Sequence, residues 1–122
     1  MINPVGWFEI YVDDMARAKA FYERVFAVAL TRLEVPDLEM WAFSMGEQTY
    51  GASGSLVKMA GVKAGGNSVL VYFSCEDCAV EAGRVAQAGG RLEREKMSIG
   101  QYGYIALAFD TEGNLFGLHS MQ

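Results

Sequence analysis

Residues 10–25, IYVDDMARAKAFYERV, and residues 73–88, FSCEDCAVEAGRVAQA, are two versions of one design. Laid over each other at an offset of 63, Ile10 to Phe73, they bring Asp13-Asp14 onto Glu76-Asp77. Each acidic pair follows an apolar, β-rich run and precedes a helical stretch. Further on, WAFSM from Trp41 lies over IALAF from Ile105, at an offset of 64. Few residues are identical, so the order of elements carries the repeat.

In the first half GWFEIYV alternates and reads as a strand. Asp14 then suits a helix N-cap, and Met15, Ala18, Phe21, Tyr22, Val25 and Phe26 follow at helical spacing. Turn signals at Pro36-Asp37 and Gly46-Glu47 separate three further strands, predicted near 29–35, 40–45 and 51–57. The second half predicts a strand over 69–75 and a helix over 78–88, closed by Gly89-Gly90. Strands near 91–97, 104–109 and 115–121 complete it, the last two joined through Glu112-Gly113-Asn114. The expected fold is α+β: one domain of two tandem βαβββ modules, about 1–60 and 68–122, joined by a Gly-rich connector at about 61–67. The glycines of KAGGN do not lie between a strand and a helix, so they read as linker, not as a phosphate loop.

Bulk composition narrows the function classes. The 122 residues are 52% hydrophobic and 20% charged, a globular balance, with a net charge of −5. An acidic chain without a Lys/Arg run lacks the footprint that nucleic acid requires. No apolar stretch approaches the roughly 20 residues of a membrane span. MINPVGWFEI lacks signal-peptide features, which gives a cytoplasmic expectation with reduced thiols.

Cys75-Glu76-Asp77-Cys78 is C-x-x-C between a strand and a helix, open to a redox, a zinc or a packing reading. The repeat favours packing, because Val12 and Met15 stand where Cys75 and Cys78 do. Glu76 and Asp77 oppose a thiolate, and zinc would need a second ligand pair that one His and two Cys cannot supply.

WFEIYVDDMARAKAFYERVF (7–26), VYFSCEDC (71–78), AGG (88–90) and GYIALAFDTEGNLFGLHS (103–120) together resemble the vicinal-oxygen-chelate superfamily. That superfamily includes glyoxalase I, bleomycin- and fosfomycin-resistance proteins and extradiol dioxygenases. The likeness spans about Val5 to Ser120 and is nearest the small glyoxalase-like branch, whose members mostly lack an assigned reaction. It implies a curved sheet around a cavity, with helices on the outer face, and a homodimer as the usual assembly.

Strand parity assigns faces to that expectation. Phe8, Ile10 and Val12 share one side of the first strand, while Trp7, Glu9 and Tyr11 share the other. In the fifth strand Val69, Val71, Phe73 and Cys75 oppose Leu70, Tyr72 and Ser74. The apolar sides belong against the helices and the mixed sides against the cavity. In the last strand Leu115, Gly117 and His119 take the cavity side, with Phe116 and Leu118 beneath the helix.

Metal-dependent members carry His and Glu at positions that fall here on Trp7, Leu70, Gly117 and, by the offset of 64, near Ser53. None of these can serve as a strong ligand, so no metal cofactor is expected. Glu9 and His119 sit two residues beyond Trp7 and Gly117 on the same faces. They read as structural hydrogen-bonding groups, as an acid/base pair, or as two ligands of an atypical metal site. Candidate ligand contacts are Trp7, Tyr11, Trp41, Tyr72 and Tyr102, the last in GQYG, which reads as a lip or a plain loop. The favoured function is a metal-free protein that binds a small organic molecule. The alternatives are a lyase, isomerase or dioxygenase using Glu9 and His119, and a structural or regulatory module.

Overall fold

The computed structural model describes residues 3–48 and 51–122. The chain divides into two compact units, Phe8–Val69 and a second that joins Met1–Trp7 to Leu70–Gln122. The element order is β1 Val5–Tyr11, α1 Met15–Phe26, β2 Thr31–Leu33, β3 Glu39–Ala42, β4 Ser53–Lys58, β5 Val69–Ser74, α2 Cys78–Ala82, β6 Arg91–Ser98, β7 Tyr104–Phe109 and β8 Leu115–Ser120. This is an α+β fold in which strand, helix and three strands occur twice. No helix of the described residues is long and apolar enough to cross a membrane.

In the unit of residues 8–69 the strand order is β2-β3-β4-β1, β1 contributing its last four residues. β2 pairs antiparallel with β3, and β3 with β4. Asp14 starts α1: its backbone is extended and its carboxylate accepts the Arg17 amide at 3.0 Å, satisfying one donor the helix leaves open. The helix stops at Ala27, which takes a left-handed conformation (φ 54°). Met15 on α1 packs with Val12, Leu30 and Leu56, and Ile10, Ala18, Tyr22, Trp41 and Phe43 surround that core. Ile10 of β1, and Val12 just beyond it, therefore face the helix.

In the other unit the first residues of β1 lead an order β1-β5-β8-β7-β6. β5 runs parallel to β8, and β8, β7 and β6 are antiparallel. The Ser74 amide donates to the Pro4 carbonyl at 2.8 Å, tying the N-terminal residues to β5. Cys78 and Ala82 of α2 pack on Ala106 and Leu118, flanked by Phe73 and Phe116, whose rings meet edge to face.

The second helix departs from expectation. The spacing predicts 78–88, but α2 ends at Ala82. Gly83, the least favourable residue for a helix interior after proline, closes it. Beyond it Arg84 and Val85 donate to Glu81 and Ala82, three residues back, so the segment continues in tighter turns.

Candidate functional site

β1 turns Ile10 and Val12 toward α1, so Glu9 and Tyr11 point the other way. Glu9 is only 7% exposed, and the Tyr11 hydroxyl donates to its Oε1 at 2.7 Å. A carboxylate removed from water needs such donors, because an unpaired buried charge is strongly disfavoured. On the neighbouring strand β4, Ser55 and Val57 are fully buried. The Ser55 Oγ has no hydrogen-bond partner.

Two matching hydrogen bonds set the repeat register. Val12 N donates to Val57 O at 2.9 Å, and Cys75 N donates to His119 O at 2.8 Å. Val57 is thus the counterpart of His119, and Ser55, not Ser53, is the counterpart of Gly117. Ser53 instead spends its hydroxyl on the Ser44 carbonyl at 2.9 Å.

Trp41 also needs correction. It pairs with Leu56, a core residue facing α1, and packs in the same cluster. The Lys19 ammonium lies 3.3 Å above its ring, and its Nε1–H donates to Glu39 Oε2 at 2.9 Å. Alternation along β3 therefore places this indole on the helix side, away from the face of Glu9 and Tyr11.

In the other unit Phe73, Cys75, Phe116 and Leu118 pack on α2. Leu70, Tyr72, Gly117 and His119 consequently take the opposite face, and Trp7 is half-buried in the first part of β1. Tyr72 and Gly117 pair directly. The Tyr72 ring lies so close over the glycine that a Cβ there would overlap Cδ1 and Cε1.

His119 Nε2 lies 2.6 Å from the Tyr102 carbonyl. A carbonyl only accepts, so Nε2 carries the proton and, in the neutral ring, Nδ1 keeps its lone pair. Tyr102 ends a 3-10 turn, Gly100–Tyr102, and its side chain is 38% exposed. Gly103 allows this turn to close on β8. Its φ is 103°, and a Cβ there would collide with the Ser120 carbonyl and reach 3.0 Å from the Met121 sulfur.

The family resemblance implies metal ligands at Trp7, Leu70, Gly117 and, in the register just given, Ser55. Their donor set does not fit a divalent ion: one hydroxyl is buried, and the space at Gly117 holds an aromatic ring. Among the described residues no three His, Cys, Asp or Glu side chains converge.

C-x-x-C has the character of packing. Cys78 is fully buried in the core, its amide donating to Ser120 Oγ at 3.0 Å. Burial, and then the Glu81 carboxylate, pushes the Cys75 thiol up to about 11. A thiol with that pKa stays protonated near neutral pH and is a poor nucleophile.

Comparison with known proteins gives the family. Residues 4–118 match the model of the Glyoxalase/Bleomycin resistance protein/Dioxygenase superfamily. The protein named "Putative glyoxylase CFP32", of Mycobacterium tuberculosis and of Mycobacterium bovis, is 28% identical over 122 residues, 97% of this chain. The chain spans only 45% of the length of those relatives. Methylmalonyl-CoA epimerase from Streptomyces coelicolor, in complex with 2-nitronate-propionyl-CoA, superposes with a TM-score of 0.70 at 14% identity, covering 98% of each chain. The Mycobacterium tuberculosis epimerase gives the same TM-score and identity, covering 100% of this chain and 93% of its own. At such identity the solved structures speak for the fold alone. The chain belongs to the Glyoxalase/Bleomycin resistance protein/Dioxygenase superfamily.

Proposed function

We propose that this chain binds a small organic molecule against the sheet face that carries Tyr72 and His119, without the superfamily's usual metal. The observation that carries this reading is the His119 ring. Its Nε2–H is committed to a backbone carbonyl, which leaves the Nδ1 lone pair to a residue whose face also carries Tyr72, Leu70, Ile105 and Leu107. A few convergent polar atoms on an apolar wall are the usual makeup of a small-molecule site. Glu9 and Tyr11 form a second polar pair, on the corresponding face of their own unit.

The test is a thermal-shift screen of small organic acids, amines, amides and thioesters, with hits titrated against His119→Gln and Tyr72→Leu. Binding should weaken at least tenfold in both variants. A screen without a single shift would remove the binding reading and leave a structural module.

The pinned tautomer favours a second reading, proton transfer with His119 as base. Removing a proton from a carbon next to a carbonyl needs a lone pair that can reach it, and Nδ1 supplies one. The reading calls for exchange of a ligand's acidic C–H in D2O, followed by NMR, that disappears in His119→Gln. Exchange at the same rate in that variant would eliminate it. Pairing of two copies through edge strand β2 or β6 belongs to the same proposal, and a monomeric mass in sedimentation equilibrium would remove it.

A further inference from the structure

We infer that the ligand is an organic anion whose carboxylate is held by Arg94 while its body lies toward His119. This rests on the proposed binding face and names what that face selects.

The carrying feature is the irregularity of β6. Its pairing with β7 steps from Leu92↔Ala108 to Arg94↔Leu107, and then to Met97↔Ile105, so a bulge lies on each side of Arg94. In a regular ladder Glu93 would stand opposite Leu107, and the residue opposite Ile105 would again differ. The first bulge replaces a glutamate by an arginine beside Leu107, and the second brings a methionine beside Ile105. Bulges re-aim side chains in this way, often next to functional sites.

Directly paired residues share a face, so two rows can be read from β8 to β6. One is His119, Ile105, Met97; the other is Gly117 with Tyr72 beside it, Leu107, Arg94. With strands about 4.8 Å apart and rows about 7 Å apart, the Cα atoms of His119 and Arg94 are separated by roughly 12 Å. The floor between them is Ile105 and Leu107, both apolar and half-buried. That span suits a molecule with a carboxylate at one end and a short apolar body.

Charge points the same way. The other basic residues of β6 are engaged: Arg91 bridges to Glu93 at 3.1 Å, and Lys96 bridges to Asp77 at 2.8 Å. Arg94 makes no ion pair among the described residues. In a chain of net charge −5, an uncommitted guanidinium on this face attracts anions against the prevailing field. A guanidinium also matches a carboxylate in bidentate geometry.

His119 is the chain's single histidine, so its ring-proton NMR signal reports on the site without assignment. Phenylacetate, phenylacetamide and 2-phenylethylamine present one shape as anion, neutral molecule and cation. At fixed pH, phenylacetate should shift the His119 signal saturably and bind at least tenfold more tightly than the other two. Arg94→Gln, a change at an exposed position, should reduce phenylacetate to the level of the amide and leave the amide unchanged. Equal binding of the amide, or unaltered phenylacetate binding in Arg94→Gln, overturns the anion assignment while ligand binding stands. If none of the three shifts the signal, the assignment is wrong, and the broader screen alone decides whether the face binds anything.

Discussion

Placing one methyl group on Gly117 is the smallest change that can be set against the Tyr72 ring. Gly117 pairs with Tyr72 in the β5–β8 ladder, and a Cβ there would overlap two ring carbons and stand 2.9 Å from Cγ. Carbon atoms rest near about 3.5–4.0 Å, so the ring must move by about an ångström. Tyr72 is 7% exposed and has little open space to enter. Overpacking of this kind costs about 1–3 kcal/mol. At about 4 °C per kcal/mol for a chain of this size, Gly117→Ala should lower the Tm by about 4–12 °C. Tyr72→Ala removes a buried ring and should cost about 3–5 kcal/mol by itself. In that background the methyl group meets no ring, and alanine is favoured over glycine within a strand by about 0.5–1 kcal/mol. The two changes should therefore be non-additive by about 1.5–4 kcal/mol. Urea unfolding of the four proteins, followed by circular dichroism, measures this coupling. Unchanged stability in Gly117→Ala, or effects that add within about 0.5 kcal/mol, would refute the packing described. Gly117→Glu, which restores a ligand-type residue, should destabilise in the same way and should not create a divalent-metal site in calorimetric titration.

Three further outcomes are expected. The Cys75 thiol is raised from 9.0 to about 11, chiefly by burial, so the folded state holds its proton more tightly than the unfolded chain. The associated stability is complete below pH 9 and fades as pH climbs through about 11; the urea midpoint should fall more steeply there than in Cys75→Ala, and coincident profiles would contradict this. Asp77 caps α2 through the Ala79 amide and pairs with Lys96, which holds its carboxyl below the usual range. Asp77→Ala should lower the urea midpoint, mostly through the lost cap, and Lys96→Ala clearly less; equal losses would assign the stability to the exposed ion pair instead. Its carboxylate contribution persists above the ordinary aspartate pKa and is lost as pH falls through the depressed one. Ser55→Ala removes a buried hydroxyl without a partner and should be neutral or stabilising in thermal unfolding, whereas a loss above about 1 kcal/mol would show that the hydroxyl is bonded.

What the chain discloses in advance is what local chemistry decides. The alternation of β1 assigns Ile10 and Val12 to the helix because period-two parity admits only two faces. Asp14 announces its helix because an N-cap is a contact of two or three residues. Trp41 misleads, since alternation does not say which parity of a short strand meets the helix; its pairing with Leu56 does. Ser53 stands in for Ser55 because weak self-similarity fixes a register only to within two residues, while a backbone hydrogen bond fixes it outright. The arrangement at His119 is hidden for another reason. Its partner is the carbonyl of Tyr102, an atom every residue possesses, and only a glycine-bounded turn of backbone brings it near. Arg94 is hidden too, because its position depends on bulges that no composition signal marks.

The division of β1 has a consequence for synthesis. Its last four residues belong to a unit that is contiguous from Phe8 to Val69, whereas its first residues belong to one completed only by Leu70–Gln122. On the ribosome the contiguous unit has all its partners once Val69 has emerged, while residues 4–7 must wait for β5 to supply the Ser74 amide that receives them. Closing so long an interval of chain is the slower event, and it falls to the unit that carries His119 and Arg94. A nascent chain stalled once Val69 has cleared the ribosome should protect the amides of α1 and of the β2–β3–β4 ladder and leave those of residues 5–7 open to exchange. The binding face would then be the last part of the molecule to form.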